Sequence, residues 1–118
     1  MWIFTNKGFI SAVADFNNTG NLLVRARNKK HLTALFPGVK VAKTENADYL
    51  YRVSIPQEDV ARVIAQNVME IDYTNFKKSI PDDEYHAACS GVWHVMWQYQ
   101  NEVVQGEGHD KLNSDNAA

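Results

Sequence analysis

Residues 49–71, YLYRVSIPQEDVARVIAQNVMEI, contain the two patterns that decide the fold. Over residues 49–55, aromatic and β-branched residues predict a strand. From Val60 onwards, apolar residues recur at spacings of three and four, which predicts an amphipathic helix lying on a sheet. Ser54 and Gln57 have the spacing of a capping box, so we expect this helix to begin here.

The N-terminal side of this stretch predicts the rest of the sheet. Two runs of aromatic and β-branched residues flank Asn6-Lys7-Gly8, which indicates a hairpin whose glycine can take the positive φ that hairpin connections often need. Residues 22–27 alternate apolar side chains with arginine, as a half-buried strand does. A short helix over residues 29–36 is stopped by Pro37-Gly38, and residues 39–44 predict another strand.

The C-terminal side predicts a last helix, starting after Pro81 and ending near Val103. The segment from Gln105 to Ala118 is polar and glycine-rich, so we expect residues 105–118 to be a disordered tail and residues 1–104 to be one domain. The predicted fold is α+β, an antiparallel sheet of about five strands with helices packed on one face. The expected order is β-β-β-α-β-β-α-α.

Composition narrows the class of protein. The 118 residues carry a formal net charge of −2, so any attraction for nucleic acid must be local. The single cysteine, Cys89, excludes an internal disulfide and fits a reducing compartment. The N-terminus has no signal-peptide pattern, and no apolar run reaches the ~20 residues of a membrane span. We therefore expect a cytoplasmic protein.

Several short strings resemble those of a widespread family of small uncharacterised bacterial proteins. They are MWIFT at residues 1–5, GFIS at 8–11, VRAR at 24–27, ADYLYR at 47–52, IDYTNFK at 71–77 and VWHVM at 92–96. The resemblance covers about the first 100 residues and implies a bacterial or phage-like cytoplasmic protein. It transfers no catalytic residues. The chain is shorter than that family between Leu35 and Ala47.

One face of the sheet could carry a function, because side chains alternate faces along a strand. Arg25 and Arg27 share a face, Arg52 can occupy it too, and Trp2 and Phe4 project together from the first strand. If these strands adjoin, they form a basic patch beside two rings, which would suit an anionic ligand or a nucleic acid.

Ordinary packing is the alternative interpretation of the same residues. Trp2 and Phe4 would then face the core, and the arginines would pair with Asp15, Asp48 or Asp72 on a solvated face. One sequence does not fix the strand register, so both interpretations stay open.

Asp72, Tyr73 and Asn75 lie in one polar turn that is typical either of an active site or of helix capping. As an enzyme, the protein would need a cleft that joins these three residues to Arg52.

Two apolar stripes follow the last helix. The first, with Tyr85, Cys89, Val92, Met96 and Tyr99, predicts its core side. The second contains His86, Trp93 and Trp97 and suits either a wide internal contact or a homodimer or partner interface. His86 and Cys89 lie one turn apart, but no second Cys or paired His completes a metal-ligand set.

Three functions follow from these observations. The leading hypothesis is a small non-enzymatic binding or regulatory domain that holds an anionic ligand or nucleic acid on the sheet. The second is a protein-interaction module, a homodimer or a phage-type inhibitor, that uses the last helix. The third is a small enzyme centred on Asp72. No glycine-rich phosphate loop, nucleophile elbow or zinc motif occurs, and no cofactor is expected.

Overall fold

The structure is a computed structural model that describes the backbone of residues 1–117 and the side chains of residues 1–107. The chain forms two compact units, Met1–Ser79 and Ile80–Ala118. The predicted disordered tail, residues 105–118, lies largely outside the described side chains. That tail and the single domain over residues 1–104 both stay predictions.

The first unit contains a five-stranded antiparallel sheet, which confirms the predicted fold class and element order. The strands lie in the order β1-β2-β3-β5-β4 across the sheet. Their bounds are Trp2–Thr5 for β1, Gly8–Ala14 for β2, Asn21–Ala26 for β3, Ala42–Lys43 for β4 and Tyr51–Pro56 for β5. Helix α1, Lys29–Leu35, and helix α2, Gln57–Met69, complete the unit together with a 3-10 turn at Lys77–Ser79.

Both helices of this unit pack on one face of the sheet, as predicted. Leu32 of α1 and Val60 of α2 belong to the same buried core as Ile10 of β2, Val24 of β3 and Ile55 of β5. The register places these strand residues on one face, since Ala12 lies opposite Val24 and Leu22 lies opposite Ile55. The other face therefore carries the alternate residues of each strand.

Strand β4 is shorter than residues 39–44, the range that the sequence predicts. Only Ala42 and Lys43 join the ladder, where they lie opposite Arg52 and Tyr51. Val39 and Val41 instead pack against the core as partly buried side chains. Burial of these two valines thus explains their apolar character without a longer strand.

The hairpin glycine has a different role from the predicted one. Gly8 pairs with Thr5 across the β1–β2 turn, but positive φ angles among the glycines occur at Gly20 and Gly38. A Cβ on Gly8 would lie 2.5 Å from Cβ of His31. Close approach of α1 therefore requires the glycine. The predicted stop of α1 is confirmed, with Gly38 at a φ of 83° after it.

Helix α2 begins where the sequence predicts but not by the predicted cap. Its N-cap residue is Pro56, and no side chain makes a capping hydrogen bond. The capping-box prediction is wrong because the hydroxyl of Ser54 donates to Oδ2 of Asp15 at 2.6 Å. The acidic first turn, Glu58 and Asp59, is present as expected.

The second unit is dominated by helix α3, Asp83–Ala117. Tyr85 and Cys89 are buried, whereas every residue from Gly91 to Gln100 is exposed. The predicted core stripe is therefore wrong beyond Cys89, since Val92, Met96 and Tyr99 are exposed. Among the described residues, no helix combines the length and the apolar character needed to cross a membrane.

Candidate functional site

A row of paired residues crosses the sheet on the face opposite α1 and α2. Trp2 lies opposite Ser11, Ser11 opposite Arg25, and Arg25 opposite Arg52. Directly paired residues of antiparallel strands point to the same side. We call this side the arginine face and define it by Trp2, Phe4, Phe9, Ser11, Arg25 and Arg52. The register thus brings together four of the residues predicted to share a site.

The aromatic residues of the arginine face form a continuous cluster. Phe4 stacks on Phe9 with ring centroids 4.3 Å apart, and Trp2 meets the edge of Phe9 at 6.1 Å. Phe9 also contacts Tyr49, at 6.5 Å between centroids. Trp2 is 70% exposed, whereas Phe4 is half-buried. Trp2 therefore offers a ring surface to solvent from a supported position.

Tyr49 holds two of the arginines. The guanidinium carbons of Arg25 and Arg27 lie 4.6 and 4.4 Å from its ring centroid. Such cation–π contacts contribute roughly 0.5–2 kcal/mol each, and the larger values apply where the groups are desolvated. Tyr49 is only 3% exposed, so its ring is a fixed platform. Arg27, in contrast, is exposed.

The guanidinium group of Arg25 is also held by Ser11. Its Nη2 donates to Oγ of Ser11 at 2.9 Å, and Ser11 is almost fully buried. Its buried Nε has no acceptor among the described residues. An unsatisfied donor of this kind costs about 1–3 kcal/mol. Stacking on Tyr49 and the bond to Ser11 therefore fix Arg25 despite an incomplete set of hydrogen bonds.

Asp48 is the carboxylate that faces these arginines. Its Oδ1 lies 3.5 Å from Nη2 of Arg52, and its backbone carbonyl accepts from Nε of Arg27 at 3.3 Å. Nε of Arg52 also donates to the carbonyl oxygen of Tyr49. Among the described residues of the first unit, the carboxylate of Asp48 is set against three guanidinium groups, which leaves about two positive charges by subtraction.

The alternative interpretation, ordinary packing, is correct for only some of these residues. Arg52 does pair with Asp48. Asp15 instead accepts from Ser54 and from the backbone N–H of Asn17, which lowers the pKa of Asp15 below its usual value. Trp2 and Phe4 lie outside the buried core, on the opposite face of the sheet from it.

The polar turn around Asp72 has the geometry of a cap. Oδ1 of Asn75 accepts from the backbone N–H of Lys78 and closes the 3-10 turn. Tyr73 packs against Phe76 at 6.0 Å between ring centroids, and Asp72 is exposed. These contacts favour the structural role over the catalytic one.

Two cavities in the first unit test the enzyme hypothesis. A cavity of about 350 Å³ lies among Met1, Ile3, Ala12, Val13, Ala14, Leu22, Gln57, Val60, Ala61 and Ile64. A smaller one of about 190 Å³ is lined by Ile3, Phe4, Thr5, Asn6, Lys7, Ile64, Asn67, Val68, Glu70, Ile71 and Tyr73. Of the residues proposed for an enzyme, only Tyr73 lines either cavity. Neither cavity is the expected cleft that joins Asp72 to Arg52.

The predicted interface residues all lie on α3. His86 is half-buried, whereas Trp93 and Trp97 are exposed and stack on each other with an interplanar angle of 5°. Burial raises the pKa of the Cys89 thiol, which suppresses the thiolate. Within residues 1–107, His, Cys, Asp and Glu do not gather in groups of three or more that could hold a metal ion.

The sequence did not indicate the roles of Tyr49, Phe9 and Ser11. Tyr49 precedes β5 and looks like one more strand residue, so its contact with two arginines depends on tertiary structure. Alternation along β2 was a usable signal, because Ser11 interrupts the apolar run from Phe9 to Val13 on the side away from Ile10 and Ala12.

Comparisons with known proteins add no further constraint. No family model, no curated protein and no solved structure matches the chain. The resemblance to small bacterial proteins therefore stays a prediction.

Proposed function

We propose that this protein is a non-enzymatic cytoplasmic binding domain whose arginine face, together with Arg27, holds a short stretch of single-stranded nucleic acid. The observation that carries the proposal is the cross-strand row in which an exposed Trp2 shares a face with Arg25 and Arg52. Sheet platforms with exposed rings and adjacent cations bind nucleic acid by stacking on bases and by pairing with phosphates.

The exposed groups have different tasks in this proposal. Trp2 supplies the ring on which a base stacks, which is worth roughly 1–3 kcal/mol per base. Arg27 supplies the guanidinium for a phosphate, because it is exposed and its Cζ is held 4.4 Å from the Tyr49 ring. Arg25 and Arg52, which are half-buried and already engaged, contribute mainly positive potential.

The spacing of these groups favours an oligonucleotide over a single nucleotide. Trp2 and Arg25 lie on β1 and β3, with β2 between them. Since neighbouring strands are about 4.8 Å apart, the backbones of Trp2 and Arg25 are separated by roughly 10 Å. Arg27 lies two residues further along the chain. A ligand that reaches from Trp2 to Arg27 therefore has to extend over more than one nucleotide.

Fluorescence anisotropy with a labelled thymidine oligonucleotide tests the proposal at several salt concentrations. Each phosphate contact on a single strand contributes about −0.7 to the slope of log K against log salt, so loss of the Arg27 contact should make that slope shallower by about 0.7. We expect Arg27→Ala to reduce both affinity and slope, and Trp2→Ala to reduce affinity with little change in slope.

Matched controls exist for both variants. Arg62 on α2 is exposed and pairs with Asp59, so Arg62→Ala removes the same charge away from the arginine face. Phe16 is 99% exposed, and Phe16→Ala removes an exposed ring elsewhere. No binding, equal binding of duplex DNA, or equal losses from Arg27→Ala and Arg62→Ala would contradict the proposal.

A further inference from the structure

Helix α3 has a regular apolar seam that continues past its buried beginning. Tyr85, Cys89, Val92, Met96, Tyr99 and Val103 follow one another at spacings of four, three, four, three and four. This is the a/d pattern of a coiled coil, in which each apolar side chain packs into a hole on a facing helix. The first two members are buried and the last four are exposed.

The exposed part of the seam is flanked by more apolar surface. Trp93 and Trp97 stack with ring centroids 6.3 Å apart, and Val95 and Val104 are both more than half exposed. Isolated exposed apolar residues are ordinary, but eight large ones within residues 92–104 form a contiguous patch. Such a patch is typical of an interface.

We infer that α3 pairs with α3 of a second copy of this chain to form an antiparallel homodimer. A second copy supplies a facing helix with the same seam, so each side chain of one meets a hole of the other. The antiparallel direction also opposes the two helix dipoles, and no oppositely charged pairs flank the seam to favour a parallel arrangement.

Pairing a positions of one helix with d positions of the other, so that the four exposed seam residues face one another, sets the register. Met96 then faces Tyr99 of the second copy, and Val92 faces Val103 of the second copy. The two-fold axis passes between residues 97 and 98, so these contacts occur twice. A thioether beside an aromatic ring is a favourable contact, roughly 0.3–1.5 kcal/mol.

The available area places this dimer at the small end of specific interfaces. Aromatic side chains carry roughly 150–250 Å² each, and Trp93 and Tyr99, which lie on or beside the seam, are about half exposed. With the valines and Met96, each copy offers about 500 Å², so the pair buries at most about 1,000 Å². This reaches the lower limit of specific interfaces, and we expect a reversible dimer with a micromolar Kd.

Sedimentation velocity of the full chain, from about 1 to about 300 µM, brackets an affinity of this order. We expect a shift from monomer to dimer across that range. Met96→Glu places a carboxylate in the seam of each copy near the two-fold axis, and we expect it to raise Kd by about 100-fold or more. Gln98→Glu adds the same charge one residue from the axis but off the seam, and we expect it to change Kd by less than about three-fold.

Cysteine cross-linking in a Cys89→Ala background tests the direction of the helices and does not depend on Met96. In the antiparallel pair, Val92→Cys with Val103→Cys forms a disulfide between copies. Val92→Cys alone does not, because the two copies of residue 92 are about 16 Å apart at a rise of ~1.5 Å per residue. A monomer at the highest concentration, a dimer that Met96→Glu leaves intact, or a cross-link by Val92→Cys alone would each overturn the inference.

Discussion

The backbone of Gly8 lies against the imidazole of His31. Nδ1 of His31 accepts a hydrogen bond from the backbone N–H of Phe9 at 3.1 Å, which anchors α1 to the start of β2. A Cβ on Gly8 would lie 2.5 Å from both Cβ and Cγ of His31. The β1–β2 turn and α1 thus pack so closely that no side chain fits between Gly8 and His31.

Gly8→Ala is therefore expected to destabilise the protein by about 1–3 kcal/mol, because the added methyl group forces either α1 or the hairpin to move. Urea unfolding followed by circular dichroism measures the change in the free energy of unfolding. His31→Gly in combination with Gly8→Ala removes both the Cβ and the ring of His31, so the double variant should lose less than the sum of the two single variants. Additive losses would show that the contact is not the cause.

Gly91→Ala, in contrast, is expected to stabilise the protein and so to increase the free energy of unfolding. A Cβ at this position meets no atom within 4 Å, and Gly91 lies in the interior of α3. Alanine is preferred over glycine inside a helix by about 0.5–1 kcal/mol. Hydrogen exchange of the amide groups around residue 91 should slow in the variant. Faster exchange there would mean that the glycine has a structural role in α3.

Removing the hydroxyl of Ser54 is expected to raise the pKa of Asp15. The Ser54 hydroxyl is the largest cause of the lowered pKa of that carboxyl group, followed by the backbone N–H of Asn17. Since the folded-state pKa is depressed, this network stabilises the protein at neutral pH. That contribution is lost as the pH falls through the pKa of Asp15.

NMR titration of the side-chain carboxyl carbons in Ser54→Ala measures the shift directly. Glu70 is the internal reference, because its lowered pKa comes first from Gln66 and then from Lys7. A pKa of Asp15 that stays unchanged in Ser54→Ala, or a parallel change at Glu70, would contradict the assignment.

Cys89 is expected to react slowly with alkylating reagents. Burial raises the pKa of its thiol, and the thiolate is the reactive form. Iodoacetamide labelling at pH 8, followed by mass spectrometry, should be much slower for the folded protein than for the same protein in urea. Equal rates would show that the region around Cys89 opens readily.

The sequence predicts the strands well because alternation is a local property. Residues 22–27 alternate, and the register confirms that Arg25 points away from the core side that carries Val24. Arg52 is placed on the same face by pairing with Arg25, across 27 positions of chain. That β3 and β5 are neighbours in the sheet could not be predicted, because a single sequence does not specify which strands pair.

The errors have a common physical origin in contacts between distant residues. Ser54 does not cap α2, because Asp15, 39 positions earlier, binds its hydroxyl. Gly8 is required by His31 rather than by its own turn. Tyr49 was overlooked because its partners, Arg25 and Arg27, lie on β3 and just beyond its end. On α3, periodicity identified the stripe that contains Met96, but it does not say what covers that stripe.

The short length of β4 also has a consequence for misassembly. An edge strand presents unpaired backbone groups on which another chain can add a strand. Here the ladder at that edge contains only Ala42 and Lys43, and Lys43 is charged and paired with Glu45. A second chain that approached β4 would find two residues to pair with and a lysine to desolvate, so addition of a strand to β4 is disfavoured.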